Sequence, residues 1–254
     1  MRGSEPRGIV VVSTHLDDAV LSLGAWIHAQ ARAGHRVEVL TVLGDDPVST
    51  EPAGQWDRRS GFRTQGEAAR ARREEDLRAC EILGAAPTVF PWGDEDYGRG
   101  VEDDVVWEGI SPRLEGSEAV LVPGTPLLHP DHLWLATLVA ARHTGRMGFY
   151  VEQPYAVLQD VRIWRWQWRP RLHDSIVALI GSEPTWTIAR GDRRDRRAKH
   201  RATRAYRSQI PLLGRYLSSL WRTAAYETVR GGESIAWLSR EQPVPASRDL
   251  PQLR

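Results

Sequence analysis

Two short segments hold residue types whose spacing could do chemistry. The first is Ser13-Thr14-His15-Leu16-Asp17-Asp18 and the second is Leu128-His129-Pro130-Asp131-His132. Histidine with a carboxylate is a ligand set suited to zinc and similar divalent ions. His15 and Asp18 stand three apart, so they can face one point if Asp18 enters the first turn of a helix. His132 can supply a third ligand from the other segment. A His-Asp-His set leaves one coordination position open, as a catalytic zinc ion requires. Asp17, next to a ligand, can take a proton from a water that the metal has acidified. His129 can stabilise an oxyanion or protonate a leaving amine, and Asp131 can orient the His129 ring. Each segment alone has a plainer reading. Asp17-Asp18 would serve as a helix N-cap pair, and His-Pro-Asp-His as a capped turn. The metal reading rests on both occurring in equivalent positions.

Those positions follow from the pattern of elements. Ile9 to Val12 is a continuous apolar run, the mark of a strand buried on both faces. A helical pattern follows over about 19–33 and stops at Gly34. Further strands are expected over 36–43, 88–91, 119–122 and 147–151, with helices over 65–83, 101–115 and from about Asp131. Strands alternating with helices predict a mostly parallel sheet, covered on both faces. The expected fold is an α/β, Rossmann-like three-layer sandwich with an α+β C-terminal extension. Ligands bind outside the carboxyl ends of such strands, so the loops after strands one and four should share one edge. Residues 1–155 are read as the zinc-binding catalytic core. Residues 156–254 are read as an extension completing the pocket in the same compact domain.

Three regions are harder to read. Residues 44–64 form a long Gly-, Pro-, Asp- and Arg-rich loop, a length usually functional or disordered. Ile163 to Trp168 alternates as IWRWQW, which predicts a strand with a packing stripe of tryptophans. Residues 192–209 predict an arginine-rich helix with a solvated face.

Composition limits the remaining classes. Hydrophobic residues make up 41% of the 254, charged residues 26%, and the formal net charge is +1. This is an ordinary globular balance with no global case for a nucleic-acid partner. Lys199 is the only lysine, and the single cysteine, Cys80, excludes an internal disulfide. No apolar run predicts a membrane span or a signal-peptide core, so the expected setting is the cytoplasm. No G-x-G-x-x-G follows strand one, which argues against a dinucleotide-binding module.

The residues of both segments carry a resemblance to the PIG-L/LmbE-type N-acetylglucosaminyl deacetylases. That family's two signatures are AHPDDE-like and HPDH-like; here they read THLDDA and HPDH. Weaker similarity covers Arg72-Arg73-Glu74-Glu75 through Gly84, and Lys199 to Gln209. The resemblance implies a Rossmann-like fold and one Zn2+, with His15, Asp18 and His132 as its ligands. It also implies Asp17 as general base, and His129 with Asp131 at the tetrahedral intermediate. Arg72 falls where the family places a substrate-contacting arginine, and Asp96 loosely matches a substrate-side aspartate. Leu16 replaces the usual proline and Ala19 the usual glutamate, and neither change removes a ligand. The expected activity is removal of an N-acetyl group from a small amino sugar or aminocyclitol conjugate, in secondary-metabolite biosynthesis. The alternatives are an amidase of a thiol or sugar conjugate, and a non-catalytic sugar-binding protein.

Overall fold

The computed structural model describes residues 8–94, 97, 100–159, 176–213, 223, 227 and 231–238. Seven strands form one sheet in the order β3-β2-β1-β4-β5-β7-β6. The five strands β1 (Ile9–Ser13), β2 (Val37–Thr41), β3 (Ala86–Val89), β4 (Ala119–Thr125) and β5 (Met147–Val151) run parallel. β6 (Thr185–Ala189) and β7 (Glu233–Trp237) extend the same sheet antiparallel. The α/β sandwich expected from the alternation is therefore present, with its strand order reversing between β1 and β4. The tryptophan-rich stretch 163–168 lies outside the described residues.

Helices with bounds among the described residues include α1 (Asp18–Arg32), α2 (Gln55–Arg59), α3 (Gln65–Leu83), α4 (Asp103–Leu114), α5 (Pro130–Arg142), α6 (Tyr155–Gln159), α7 (Arg193–Thr203) and α8 (Ile210–Leu213). β1 alternates its buried valines between two cores. Val10 and Val12 pack with Ile110 of α4 and Leu135 of α5 on one face. Ile9 and Val11 pack on the other with Leu23 of α1, Leu83 of α3 and Ala198 of α7. A strand buried on both faces needs apolar residues at every position, which explains the continuous run in its sequence. Gly124 inside β4 is a place where the chain comes too close for a side chain. A Cβ there would lie 2.4 Å from that of Phe149.

Residues 44–64 carry more order than their composition suggests. They hold α2, an isolated bridge between Pro52 and Thr64, and the buried Asp57. The arginine-rich stretch is shorter as a helix than expected, ending at Thr203. It also has a buried polar side as well as a solvated one. Lys199 lies under α1, with Nζ 2.6 Å from Glu233 and 2.5 Å from Glu227. Gly24 permits this approach, since a Cβ at that position would meet Lys199 Cγ at 2.8 Å. Glu233 in turn accepts from the backbone N–H groups of Ala25 and Trp26, at 3.0 and 2.7 Å, tying β7 to the middle of α1. Burial pushes the Glu227 carboxyl up to about 7, against the pull of Lys199. Among the described residues, no helix is long and apolar enough to cross a membrane.

Removing one partner of a buried pair leaves the other charge uncompensated, which costs about 3–5 kcal/mol. Lys199→Met should lower unfolding free energy by about that amount in denaturant titrations. A loss below about 0.5 kcal/mol, the scale of a surface substitution, would show the cluster to be solvated.

Candidate metal and catalytic site

β1 and β4 are neighbours whose carboxyl ends open on the same edge, at the point where strand order reverses. The loop after β1 is held by its own side chains. Ser13 Oγ donates to the His15 carbonyl at 2.8 Å and accepts the Ala19 N–H at 3.0 Å. Asp18 Oδ2 accepts the His15 N–H at 2.9 Å. Asp17, at the head of α1, has φ 130° and ψ −31°, a conformation that residues with a side chain rarely adopt. Such a position costs on the order of 1–3 kcal/mol, and such strain clusters at functional sites. The loop after β4 delivers His129 as the N-cap of α5, Pro130 at its first turn, and the fully buried Asp131 and His132.

The two loops bring one atom each of His15, Asp18 and His132 into a tight triangle. His15 Nδ1 lies 3.2 Å from His132 Nε2 and 3.3 Å from Asp18 Oδ2, and Asp18 Oδ2 lies 3.2 Å from His132 Nε2. A tetrahedral zinc ion with bonds of about 2.0–2.1 Å spaces its ligand atoms about 3.3 Å apart. The donor set therefore fits the size and chemistry of that ion. The far nitrogen of each ring is backed by a carboxylate. His15 Nε2 is 3.3 Å from Asp131 Oδ2, and His132 Nδ1 is 2.5 Å from Glu152 Oε2. Carboxylates in these places keep protons on the outer nitrogens, leaving Nδ1 of His15 and Nε2 of His132 to face the metal position.

His129 stands beside this triangle. A looser grouping, with ligand atoms all within 4.8 Å of one another, joins His129 to His15 and His132 as a three-histidine set able to hold a metal. The closer contacts favour Asp18 as third ligand, because its Oδ2 already sits at coordination spacing from both other atoms. His129 Nδ1 accepts the Asp131 N–H at 3.3 Å, so a neutral ring carries its proton on Nε2. Asp131 is nearer to His15 than to His129, whose Nδ1 is 3.8 Å from its Oδ2. It therefore reaches the first ring as well as the one it was expected to orient.

Electrostatics separates these groups. Burial pulls His15 down, but hydrogen bonds from Asp131 and Asp18 outweigh it and raise the imidazole to about 9. Burial likewise opposes charge on His132, and Asp18 and Glu152 raise it well above 6.5. Burial disfavours the charged form of Asp18, yet the two imidazoles hold it well below the usual carboxylate range. Asp17 is pushed well above that range, first by burial and then by the Asp18 charge. His129 is depressed to about 4 by burial and by the two other rings. The site thus holds one carboxyl whose proton affinity is raised, Asp17, and one imidazole whose proton affinity is lowered, His129.

On the far side, Arg72 is buried and forms an ion pair with Asp57 of α2, whose other oxygen accepts the Tyr97 hydroxyl at 2.5 Å. A helix-surface pair of Arg72 with Glu75 or Asp76 does not form. Glu75 accepts from Ser208, and Asp76 from the Tyr206 hydroxyl. The Arg72 Nε–H has no hydrogen-bond partner among the described residues. Asp45 joins this wall through Gln65 at 3.3 Å, and burial followed by the Asp94 charge raises its carboxyl to about 7. A cleft of about 450 Å³ adjoins these groups, with Gln65, Trp92 and Tyr97 in its lining. Asp96 lies outside the described residues. Glu152, Asp57 and Asp45 carry no motif of their own. Glu152 was visible in sequence only as an acid directly after the fifth strand.

Known proteins resemble this chain in sequence and in fold. A family model described as PIG-L: GlcNAc-PI de-N-acetylase matches residues 10–143. A 4-oxalmesaconate hydratase of Pseudomonas putida is 35% identical over 88 residues, which is 35% of this chain and 33% of the relative. The matched stretch thus spans about a third of that relative's length. A deacetylase of the antimicrobial A40926 pseudoaglycone is similar at TM-score 0.72 and 24% identity, covering 95% of this chain and 98% of the other. A deacetylase of teicoplanin biosynthesis aligns at TM-score 0.70 and 22% identity over 90% and 96% of the two chains. An N,N'-diacetylchitobiose deacetylase of Pyrococcus horikoshii aligns at TM-score 0.59 and 14% identity over 95% and 88%. At these identities the likeness of the solved structures is one of fold.

Glu152→Gln should weaken metal affinity roughly 10–100-fold in a chelator competition, because the backing of His132 loses its charge. Unchanged affinity would show that Glu152 does not tune the ring.

Proposed function

This chain belongs to the PIG-L: GlcNAc-PI de-N-acetylase family, and on that premise we propose that it is a zinc-dependent hydrolase removing an N-acetyl group from an amino sugar or aminocyclitol conjugate. The observation that carries this reading is the triangle of His15 Nδ1, Asp18 Oδ2 and His132 Nε2, with sides of 3.2–3.3 Å. Zinc, when bound, supplies Lewis acidity toward the acyl oxygen and acidifies water.

The chain's own groups then divide the work. Asp17 accepts a proton from the attacking water, helped by the raised proton affinity of its carboxyl. His129, neutral and protonated on Nε2, donates a hydrogen bond to the oxygen that gains charge as the carbonyl becomes tetrahedral. The C–N bond breaks as the amine takes the proton held by Asp17, so one amide and one water give acetic acid and a free amine, and the acid's proton then passes to the amine or to solvent. Asp131 and Glu152 keep the His15 and His132 rings in the orientation this requires. Arg72 and Asp96 are the proposed sugar-side pair. Arg72 supports the reading with a buried Nε–H that has no partner among the described residues. Likeness in fold to deacetylases of A40926 pseudoaglycone and of teicoplanin biosynthesis favours a secondary-metabolite setting. The single cysteine is consistent with a cytoplasmic one.

A second reading has one observation behind it, the 35% identity over 88 residues to a hydratase. A metal, a base and a neutral imidazole would also serve water addition to a double bond. Acetate release separates the two. The zinc-loaded protein should free acetate from an N-acetylglucosamine conjugate, and a chelator should abolish it. Asp17→Asn should keep its metal and lose roughly 10²–10⁴-fold in turnover. Hydration of an unsaturated tricarboxylate such as 4-oxalmesaconate, with no acetate from any N-acetyl sugar, would establish the hydratase reading instead.

A further inference from the structure

At the far end of α1 from the metal position, α1 and α7 enclose a groove of about 570 Å³ lined by His28, Arg32, Arg194, Arg197, His200 and Arg201. His28 and Arg32 lie 10 and 14 residues beyond Asp18 on α1, which places them roughly 15 and 21 Å along its axis. The groove is therefore separate from the site described above. Its α1 wall is fixed. The buried Asp195 accepts from His28 Nδ1 at 2.8 Å and from Arg32 at 2.8 Å, and Asp192 accepts from Arg32 at 3.0 Å. Its α7 wall is different. Arg194, Arg197 and Arg201 are exposed and, among the described residues, form no ion pair.

That wall is costly as a merely solvated surface. Arg194, Arg197 and Arg201 are spaced three and four apart on one face, where like charges destabilise a helix by about 0.2–0.5 kcal/mol per pair. A helix face selected only for solubility gains by alternating acids with these bases. Here the acids of the helix are Asp195 and its cap Asp192, both already engaged with α1. Counting four arginines against two aspartates, the groove keeps an excess of two positive charges before either histidine is protonated. Guanidinium forks bind oxyanions through paired hydrogen bonds, and each phosphoryl group presents three acceptor oxygens and up to about two negative charges. A concave groove with cationic groups on both walls matches a compact multivalent anion better than an extended flat surface.

We propose that the groove between α1 and α7 is a binding site for a small soluble ligand bearing two or more phosphoryl groups, with Arg194, Arg197 and Arg201 as its contacts. The test uses inorganic pyrophosphate as the probe, titrated by calorimetry into the full chain loaded with its metal. Citrate and vesicles containing anionic lipid are titrated in parallel. Pyrophosphate should bind with an affinity that falls as salt rises. Arg197→Ala and Arg201→Ala should each weaken it roughly tenfold, the scale of one charge-assisted hydrogen bond. Arg197→Lys, which keeps the charge and loses the fork, should fall between wild type and Arg197→Ala. Metal content should match wild type in all three variants, and Tm without anion should not fall and should rise slightly in the two alanine variants as like-charge repulsion is relieved, since these side chains are exposed and far from the metal position. Absence of pyrophosphate binding, equal affinity for citrate, binding to vesicles alone, or binding unaffected by the substitutions would each overturn the proposal.

Discussion

The close packing of three ligand atoms, with two further carboxylates behind them, is the constraint on which the site depends. Asp18, Asp131 and Glu152 are buried together with His132, and His15 is nearly so. These carboxylates favour the charged form of both rings against the cost of burial, raising His15 and His132. A divalent ion held by these groups would need unprotonated ring nitrogens, so its binding would release protons. The same carboxylates then change role, from retaining protons to fixing ring orientation. The immediate surroundings of the ion, and not the ion alone, decide which nitrogens face it.

The fold supplies that arrangement through few elements. Hydrogen bonding of β1 to β4 puts the two loops side by side, and the register between Ile9–Val11 and Ala119–Leu121 sets how far each loop projects. Asp18 is the first residue of α1, so its position follows α1 as a body. α1 is anchored at its middle by Glu233 and Lys199, and Ser22 of the same helix accepts the N–H of Gln153 at 3.0 Å. Gln153 follows Glu152, the residue that backs His132. A change in the packing of α7 therefore has a short covalent and hydrogen-bonded route to two sides of the metal position, though the α7 residues concerned touch neither ligand.

β1, β4 and β5 were legible because they are buried at every position, which their largely apolar sequences reflect. Gly34 and Gly84 marked the ends of α1 and α3 through their positive φ, at 93° and 72°. The meeting of the two loops was legible because both combine histidine and aspartate after such strands. What escaped was whatever depends on partners distant in sequence. Glu152 is one acid among many until the fifth strand is placed beside the fourth. The pairing of Arg72 with Asp57 could not be read from Arg72, because Asp57 belongs to a loop whose Gly- and Pro-rich composition hides a short helix. Lys199 read as part of a charged face because helical periodicity in an arginine-rich stretch is dominated by its exposed side. Its burial is set by Glu227 and Glu233, 28 and 34 residues away.

The account stands on the identity of the ligands, and X-ray absorption at the zinc edge of the metal-loaded protein reports them most directly. Two imidazoles and one carboxylate oxygen, with nitrogen and oxygen distances near about 2.0–2.1 Å, are the predicted shell. It should lose one imidazole in His132→Ala and none in His129→Ala. A shell of three imidazoles that falls to two in His129→Ala would make His129 a ligand, remove Asp18 from the coordination sphere, and contradict the division of roles between metal and acid–base chemistry.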